Sequence, residues 1–187
     1  MSACAGLIYT SNNSGVSWDL ATSAPKYKYW EAVTYSSDGT TLAAAIYGGP
    51  SYPSNIYTSN DRGSTWTLTL SPIPSPKGWR SITSSADGTR LAAVADGGGI
   101  YLSSDSGASW ALSSAPTPKA WRCITSSSDG TKLAAGVDGG EIYTSDDSGA
   151  SWSVTPAPLA KWYSIASSSD GGTFVAAANG GGIYVAM

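Results

Sequence analysis

The 187 residues predict an all-β protein made of about four repeats of a four-stranded antiparallel unit. Three observations carry this. A box of the form Ser-x-Asp-x-Gly-x-x-Trp recurs four times. A second tryptophan recurs between the boxes, each time at the head of a short apolar stretch. No segment combines helical spacing with helix start and stop signals.

The box reads SNNSGVSW from Ser11 to Trp18, SNDRGSTW from Ser59 to Trp66, SSDSGASW from Ser103 to Trp110 and SDDSGASW from Ser145 to Trp152. Only the first copy departs, with Asn13 where the others carry Asp61, Asp105 and Asp147. A carboxylate followed two residues later by glycine is a turn signal. The side chain accepts hydrogen bonds from amides just ahead, and glycine supplies a positive φ without a Cβ clash. An Ile-Tyr pair precedes each box, at Ile8-Tyr9, Ile56-Tyr57, Ile100-Tyr101 and Ile142-Tyr143, and a short alternating stretch follows. Each box therefore joins two strands as a hairpin. A buried tryptophan removes about 150–250 Å² from water, at most roughly 4–6 kcal/mol. Trp18, Trp66, Trp110 and Trp152 are thus expected to anchor the hairpins in a core. Isolated boxes offer at most one carboxylate each, except Asp146-Asp147, whereas calcium takes six to eight oxygens, so no metal and no cofactor is expected.

The repeat extends beyond the box. The box tryptophans are 48, 44 and 42 residues apart, and each unit holds four strand-like segments, a to d. Segment a starts at the second tryptophan: Trp30, Trp79, Trp121 and Trp162. A Ser-rich Asp-Gly turn follows, at Asp38, Asp87, Asp129 and Asp170. Segment b is Leu42-Ala43-Ala44, Leu91-Ala92-Ala93, Leu133-Ala134-Ala135 and Phe174-Val175-Ala176. Its alanines suit strands packed closely on both faces. The Ile-Tyr strand is c, and the box leads to d. Four antiparallel strands in about 42 residues, repeated, is a β-propeller blade.

Segment c occurs five times, because Ile183-Tyr184 repeats Ile8-Tyr9, whereas a, b and d occur four times. A single domain over 1–187 is expected, with an N-terminal c–d hairpin at 5–20 completing the last blade. The surplus c strand leaves two closures. Either one chain closes a four-bladed ring with a five-stranded seam, or two chains share seams in a larger ring.

The boxes resemble the Asp-box, or BNR, repeat of β-propellers, a family that includes sialidases, sortilin-type receptors, some glycanases and photosystem-assembly propellers. The resemblance reaches over nearly the whole chain and is one of fold. It implies that the boxes are structural and lie away from the active face.

Composition narrows the function. Net charge is −3 with a pI near 4.7 and scattered Lys and Arg, which speaks against a nucleic-acid partner. No apolar run is long enough for a membrane span. No signal-peptide pattern is present, while the Ser, Thr, Gly and Trp content favours an extracellular setting. Cys4 and Cys123 form no metal spacing and no disulfide framework, and Cys123 reads as a structural thiol. With no His, Ser-His-Asp and His-metal chemistry is excluded. The sialidase resemblance would require an arginine triad and an Arg-Ile-Pro motif. Only Arg80 and Arg122 fall near the expected face, with Arg62 inside a box and Arg90 at the far face, so no catalysis is expected. A glycosidase-type carboxylate pair could come only from residues such as Glu31, Asp96, Asp138 and Glu141.

The expected ligand face, opposite the boxes, collects Lys77, Trp79, Arg80 and Asp96 from one repeat and Lys119, Trp121, Arg122 and Asp138 from the next. Arg80 is expected to pair with Asp96 and Arg122 with Asp138. Where the arginine becomes Glu31 or Tyr163, the Asp becomes Tyr47 or Asn179. With the tryptophans as a stacking floor, the reading is a non-catalytic, lectin-like module binding a glycan. Self-association through terminal strands is also expected. The alternatives are a structural or self-assembling repeat scaffold, engineered or excised, and a glycosidase-like hydrolase. The enlarged loop from Gly48 to Asn55, with Tyr52, is a further candidate element.

Overall fold

The computed structural model describes residues 6–48, 54–69 and 78–186. Cys4, Tyr52 and Lys77 lie outside these residues. Among the described residues there are seventeen strands and no helix.

The first two strands, β1 (Tyr9–Thr10) and β2 (Asp19–Leu20), form a two-stranded sheet around the first box. The next four, β3 (Trp30–Tyr35), β4 (Leu42–Ile46), β5 (Ile56–Ser59) and β6 (Thr67–Thr69), form a four-stranded antiparallel sheet in chain order. This is segments a to d as one blade. The second blade is β7 (Trp79–Ser84), β8 (Leu91–Gly98), β9 (Ile100–Ser103) and β10 (Ala111–Leu112). The third is β11 (Lys119–Ser126), β12 (Leu133–Gly140), β13 (Ile142–Ser145) and β14 (Ser153–Val154). The fourth sheet has three strands, β15 (Ala160–Ser167), β16 (Phe174–Ala178) and β17 (Ile183–Ala186).

The b strands β8 and β12 run longer than the sequence suggests. Their ends pair with the a strand of the following blade, Ala120 opposite Asp96 and Lys161 opposite Asp138. Blades two to four are thereby joined through backbone hydrogen bonds. The hairpin β1–β2 rests on the first blade. Ile8, Ala21 and Ala24 pack against Ala44, Trp30 and Trp66, and the Ser23 hydroxyl donates to the Ser64 carbonyl at 2.7 Å. Among the described residues no ladder joins this hairpin to β15, β16 or β17, and no sheet closes on itself.

The core lies in the middle of each blade. Ala43, Ala44, Ala93, Ala134 and Ala135 are fully buried, as the alanine-rich b segments require. Trp79, Trp121 and Trp162 lie over them, each about 1% exposed. Each meets the c-strand tyrosine of its own blade edge-on: Trp79 with Tyr101, Trp121 with Tyr143 and Trp162 with Tyr184, at 5.1 to 5.4 Å between ring centres. Trp30 meets Tyr57 likewise at 5.8 Å.

The expectation for the box tryptophans holds in part. Trp18 is 62% exposed, Trp66 and Trp152 are half-buried, and only Trp110 is buried. The indole folds back over the turn, and its N–H donates to the box glycine carbonyl: Trp66 to Gly63, Trp110 to Gly107 and Trp152 to Gly149, at 3.1 to 3.2 Å. Rings held in this way still pack on the core: Trp66 and Trp152 lie against it partly buried, and Trp110 is buried within it.

Inside the box the carboxylate binds as expected. Asp61 accepts from the Thr65 amide and hydroxyl and the Ser59 hydroxyl. Asp105 and Asp147 do the same with Ser109 and Ser103, and with Ser151 and Ser145. The opening serine also receives the glycine amide, as at Ser103 from Gly107 at 2.9 Å. The backbone differs in one respect. The residue before glycine is left-handed too, with φ of 58, 59, 57 and 60° at Ser14, Arg62, Ser106 and Ser148. An L-residue there costs roughly 1–2 kcal/mol, which the surrounding hydrogen bonds offset.

The turns between a and b repeat this economy. Ser36, Ser85 and Ser127 are buried, and each donates to the aspartate two residues on at 2.5 to 2.6 Å. The donors pull these carboxylates down. Asp38 and Asp129 fall from the usual 3.8 to about 2, chiefly through the hydroxyls of Ser36 and Ser127, and Asp147 falls likewise through Ser151. A folded-state pKa below the unfolded one gives stability that is complete above about pH 4 and is lost as pH falls through 2. The melting temperature, followed by circular dichroism, is therefore expected to stay level from pH 7 to 5 and to drop between pH 4 and 2. A level profile down to pH 2 would contradict the turn assignment.

Candidate functional site

The four a strands β3, β7, β11 and β15 stand side by side along one wall. At the start of each, a tryptophan turns into its blade. In each strand the pairing register with b shifts across the next residue, which therefore sits in a β-bulge that re-aims its side chain outward. That places Glu31, Arg80, Arg122 and Tyr163 at the same level on the wall. Together with Ser81, Cys123, Ile124, Ser164 and Ile165 they line a cleft of about 280 Å³.

Its electrostatics rest on two guanidinium groups. Arg80 pairs with Asp96 at 2.7 Å, as the sequence indicates, and also contacts Glu31 at 3.4 Å. Its guanidinium lies 4.3 Å from the Tyr47 ring centre. Burial opposes its charge, but Asp96, Tyr47 and Glu31 outweigh that and raise its pKa. Arg122 departs from expectation. Its ion pair is with Glu31 at 3.4 Å, not with Asp138, and its guanidinium lies 4.5 Å from the Tyr163 ring centre. The physical reason is the shared level of the a strands, which brings Glu31 within reach of both arginines. Asp138 meanwhile is exposed on the extended end of β12, opposite Lys161.

The remaining candidates fall elsewhere. Trp79 and Trp121 are buried and present no face to a ligand. Trp162 donates its indole N–H to the Gly140 carbonyl at 3.0 Å. The matching Gly98 carbonyl is taken by the Thr117 hydroxyl at 2.9 Å, and the Trp121 N–H has no partner among the described residues. Lys119 forms an ion pair with Glu141 at 3.1 Å and lies over Tyr143 at 5.2 Å. Tyr143 and Glu141 raise the Lys119 pKa, while Lys119 lowers that of Glu141. Arg62 sits in its box, and Arg90 donates to the Ser148 hydroxyl at 2.6 Å on the box side. The residues that sequence reasoning left out of the site are Glu31, Tyr47 and Tyr163. Their signal was present in the repeat alignment, at the positions where arginine and aspartate are replaced.

Cys123 lines the cleft floor yet is only 5% exposed. Burial pushes its thiol up to about 11. A thiol so far from ionised is a weak nucleophile at neutral pH. Its bulk is met by a missing side chain opposite. A Cβ on Gly136 would lie 2.9 Å from the Cys123 sulfur and 2.8 Å from the Trp162 Cβ.

Solved structures share this architecture. An ancestral GH74 enzyme is similar with a TM-score of 0.69 and 15% identity, over 91% of this chain and 26% of that one. YCF48 from Cyanidioschyzon merolae gives 0.66 and 18%, over 98% and 65%. A further YCF48 structure, bound to D1 peptide, gives 0.58 and 19%, over 87% and 56%. The computationally designed Ika4 protein gives 0.66 and 11%, over 87% and 92%. The fold is of the β-propeller kind. The chain spans about a quarter of the GH74 enzyme and just under two thirds of YCF48. No protein-family model matches it, and no curated protein does.

The floor of the cleft yields a direct check. Cys123 is expected to resist iodoacetamide at pH 8 in the folded chain and to react once the chain is unfolded in guanidinium, read by mass spectrometry. Modification of Cys123 under native conditions at the rate of a free thiol would contradict the packing around it.

Proposed function

We propose that the chain is a non-catalytic binding module, and that the cleft of Glu31, Arg80, Arg122 and Tyr163 takes the carboxylate of an acidic saccharide. The observation that carries this is Arg122. Its guanidinium is stacked on Tyr163 and has one hydrogen-bond partner among the described residues, Glu31 at 3.4 Å. Most of its donors therefore face the cleft, and guanidinium matches a carboxylate in paired, charge-assisted hydrogen bonds. Tyr163, 58% exposed, offers a ring face to sugar C–H groups. Ser81, Ser164 and Glu31 supply partners for hydroxyls. The cleft is close to the lower end of the ~300–1,000 Å³ usual for ligand sites, which suits one saccharide residue. The burial of Trp79 and Trp121 moves the stacking surface from tryptophan to Tyr163.

A second reading has one observation of its own. A YCF48 structure holds a peptide, and a peptide carboxylate carries the same chemistry for Arg122. The test is a glycan array with acidic and neutral arms, followed by calorimetry with the best glycan and with an acidic peptide. Acidic glycans are expected to bind and neutral ones not. Arg122→Ala is expected to weaken binding about tenfold or more, since a hydrogen bond to a charged group contributes about 1.5–3 kcal/mol. Binding of the peptide alone would favour the second reading. Equal binding of neutral glycans, undisturbed in Arg122→Ala, would overturn the assignment of the cleft.

A further inference from the structure

The hairpin β1–β2 and the sheet β15–β17 carry complementary parts of one blade. In the three complete blades the c strands β5, β9 and β13 each bear a d strand on the edge away from b. β17 is the c strand of the fourth sheet, and among the described residues no ladder lies on that edge. All four of its residues are exposed. Ile183 is 74% exposed, whereas its counterparts Ile56 and Ile100 are at 0% and Ile142 is at 8%.

The hairpin shows the converse, a c and a d strand without a and b. Ile8 is buried at 9% against the outer face of the first blade, so β1 already occupies the c position of a unit preceding that blade. Tyr9 is 52% exposed. Among the described residues it meets no tryptophan edge-on, whereas Tyr57, Tyr101, Tyr143 and Tyr184 each do.

The hairpins leave a second unmatched pair. The Cα of each box glycine faces the c strand of the preceding unit. A Cβ on Gly63 would meet Thr10, on Gly107 Thr58, and on Gly149 Leu102, at 2.5 to 3.0 Å. The next members of the series are Thr144 on β13 and the box glycine of the unit that follows. Thr58 is buried in such a contact, while Thr144 is partly exposed. Gly15, the box glycine of the hairpin, has only its own Trp18 nearby.

We propose that the hairpin β1–β2 of a second copy of this chain completes the fourth blade, with β1 taking the place of β17 on β16. In the repeat register Tyr9 then stands opposite Ala176, where Tyr184 now stands, and caps Trp162. Gly15 seats on Thr144, and Ile8 is covered from both sides. The hairpin keeps its packing on its own first blade, which continues the blade-to-blade contact already made three times within the chain. β17 holds the position until the exchange. Each contact it gives up is replaced by one of the same kind, which is what makes strand exchange between identical chains inexpensive. The exchange also covers a sheet edge that would otherwise recruit other chains.

The first test is the mass of the 187-residue chain by light scattering, expected at twice its 19.0 kDa; a mass of 19.0 kDa overturns the proposal. The second locates the contact. In a Cys4→Ser background, Thr10→Cys and Val175→Cys would stand opposite each other. Oxidation is expected to give a covalent dimer on a non-reducing gel, reversed by reductant. A crosslinked monomer or no crosslink overturns the proposal. Val175→Cys with Val185→Cys, opposite each other in the present register, ties β17 down. That oxidised chain is expected to be monomeric with an unchanged circular dichroism spectrum, and a dimer would overturn the exchange.

Discussion

In every blade an inner tryptophan lies across the b strand and meets a tyrosine of the c strand edge-on, and the rest of the architecture follows from that contact. Ring pairs of this geometry contribute about 0.5–1.5 kcal/mol beyond the area they bury. They also dictate the neighbouring residues. A ring lying over b leaves room for little more than alanine there, which is why Ala43, Ala93 and Ala135 are completely buried. Where the a strand carries the larger Cys123, the opposing position is Gly136. The residue after each of these tryptophans lies in a β-bulge and faces outward, and four blades thereby place Glu31, Arg80, Arg122 and Tyr163 on one wall. The cleft is a by-product of the bulge that follows each core tryptophan.

The other end of the molecule is organised by hydroxyl groups. Each box and each a-to-b turn uses a serine and an aspartate two residues apart, Asn13 standing for the aspartate in the first box, to satisfy backbone amides in a chain reversal. This accounts for the high serine and threonine content and for most of the aspartates. Those carboxylates are engaged with the turns and are not free to act on a ligand, which agrees with the structural role that the Asp-box resemblance implies. Arg80, Arg122, Glu31 and Asp96 lie instead at the cleft. A chain with few charges thus has most of its aspartates at the turns, with Arg62 and Arg90 beside them, and Arg80 and Arg122 beside Glu31 and Asp96 at the cleft.

Much of this was legible in the sequence, because both periodic signals, strand alternation and turn chemistry, repeat with the unit. The strand segments and hairpins stand where the repeat places them. The misreadings share one cause: a motif specifies which residues recur, not which of two similar residues faces inward. Trp66 and Trp79 look alike in a sequence. One is held by its own turn through an N–H to Gly63, and the other is drawn between strands. The pairing of Arg122 was hidden for a related reason. Repeat alignment matches it to Asp138 in its own unit, whereas its partner Glu31 belongs to a unit two blades away and is reached only across the wall. The left-handed Ser106 and its equivalents carry no side-chain signal, since serine is common in turns of every kind.

The claim that the inner tryptophans, rather than the box tryptophans, hold the fold is tested most directly by urea unfolding of Trp121→Ala and Trp18→Ala. Loss of a buried tryptophan costs about 3–5 kcal/mol, so Trp121→Ala is expected to lower the unfolding free energy by about that amount. Trp18→Ala, which removes a largely exposed ring, is expected to lower it by less than about 1 kcal/mol. Equal losses, or a greater loss for Trp18→Ala, would contradict the account.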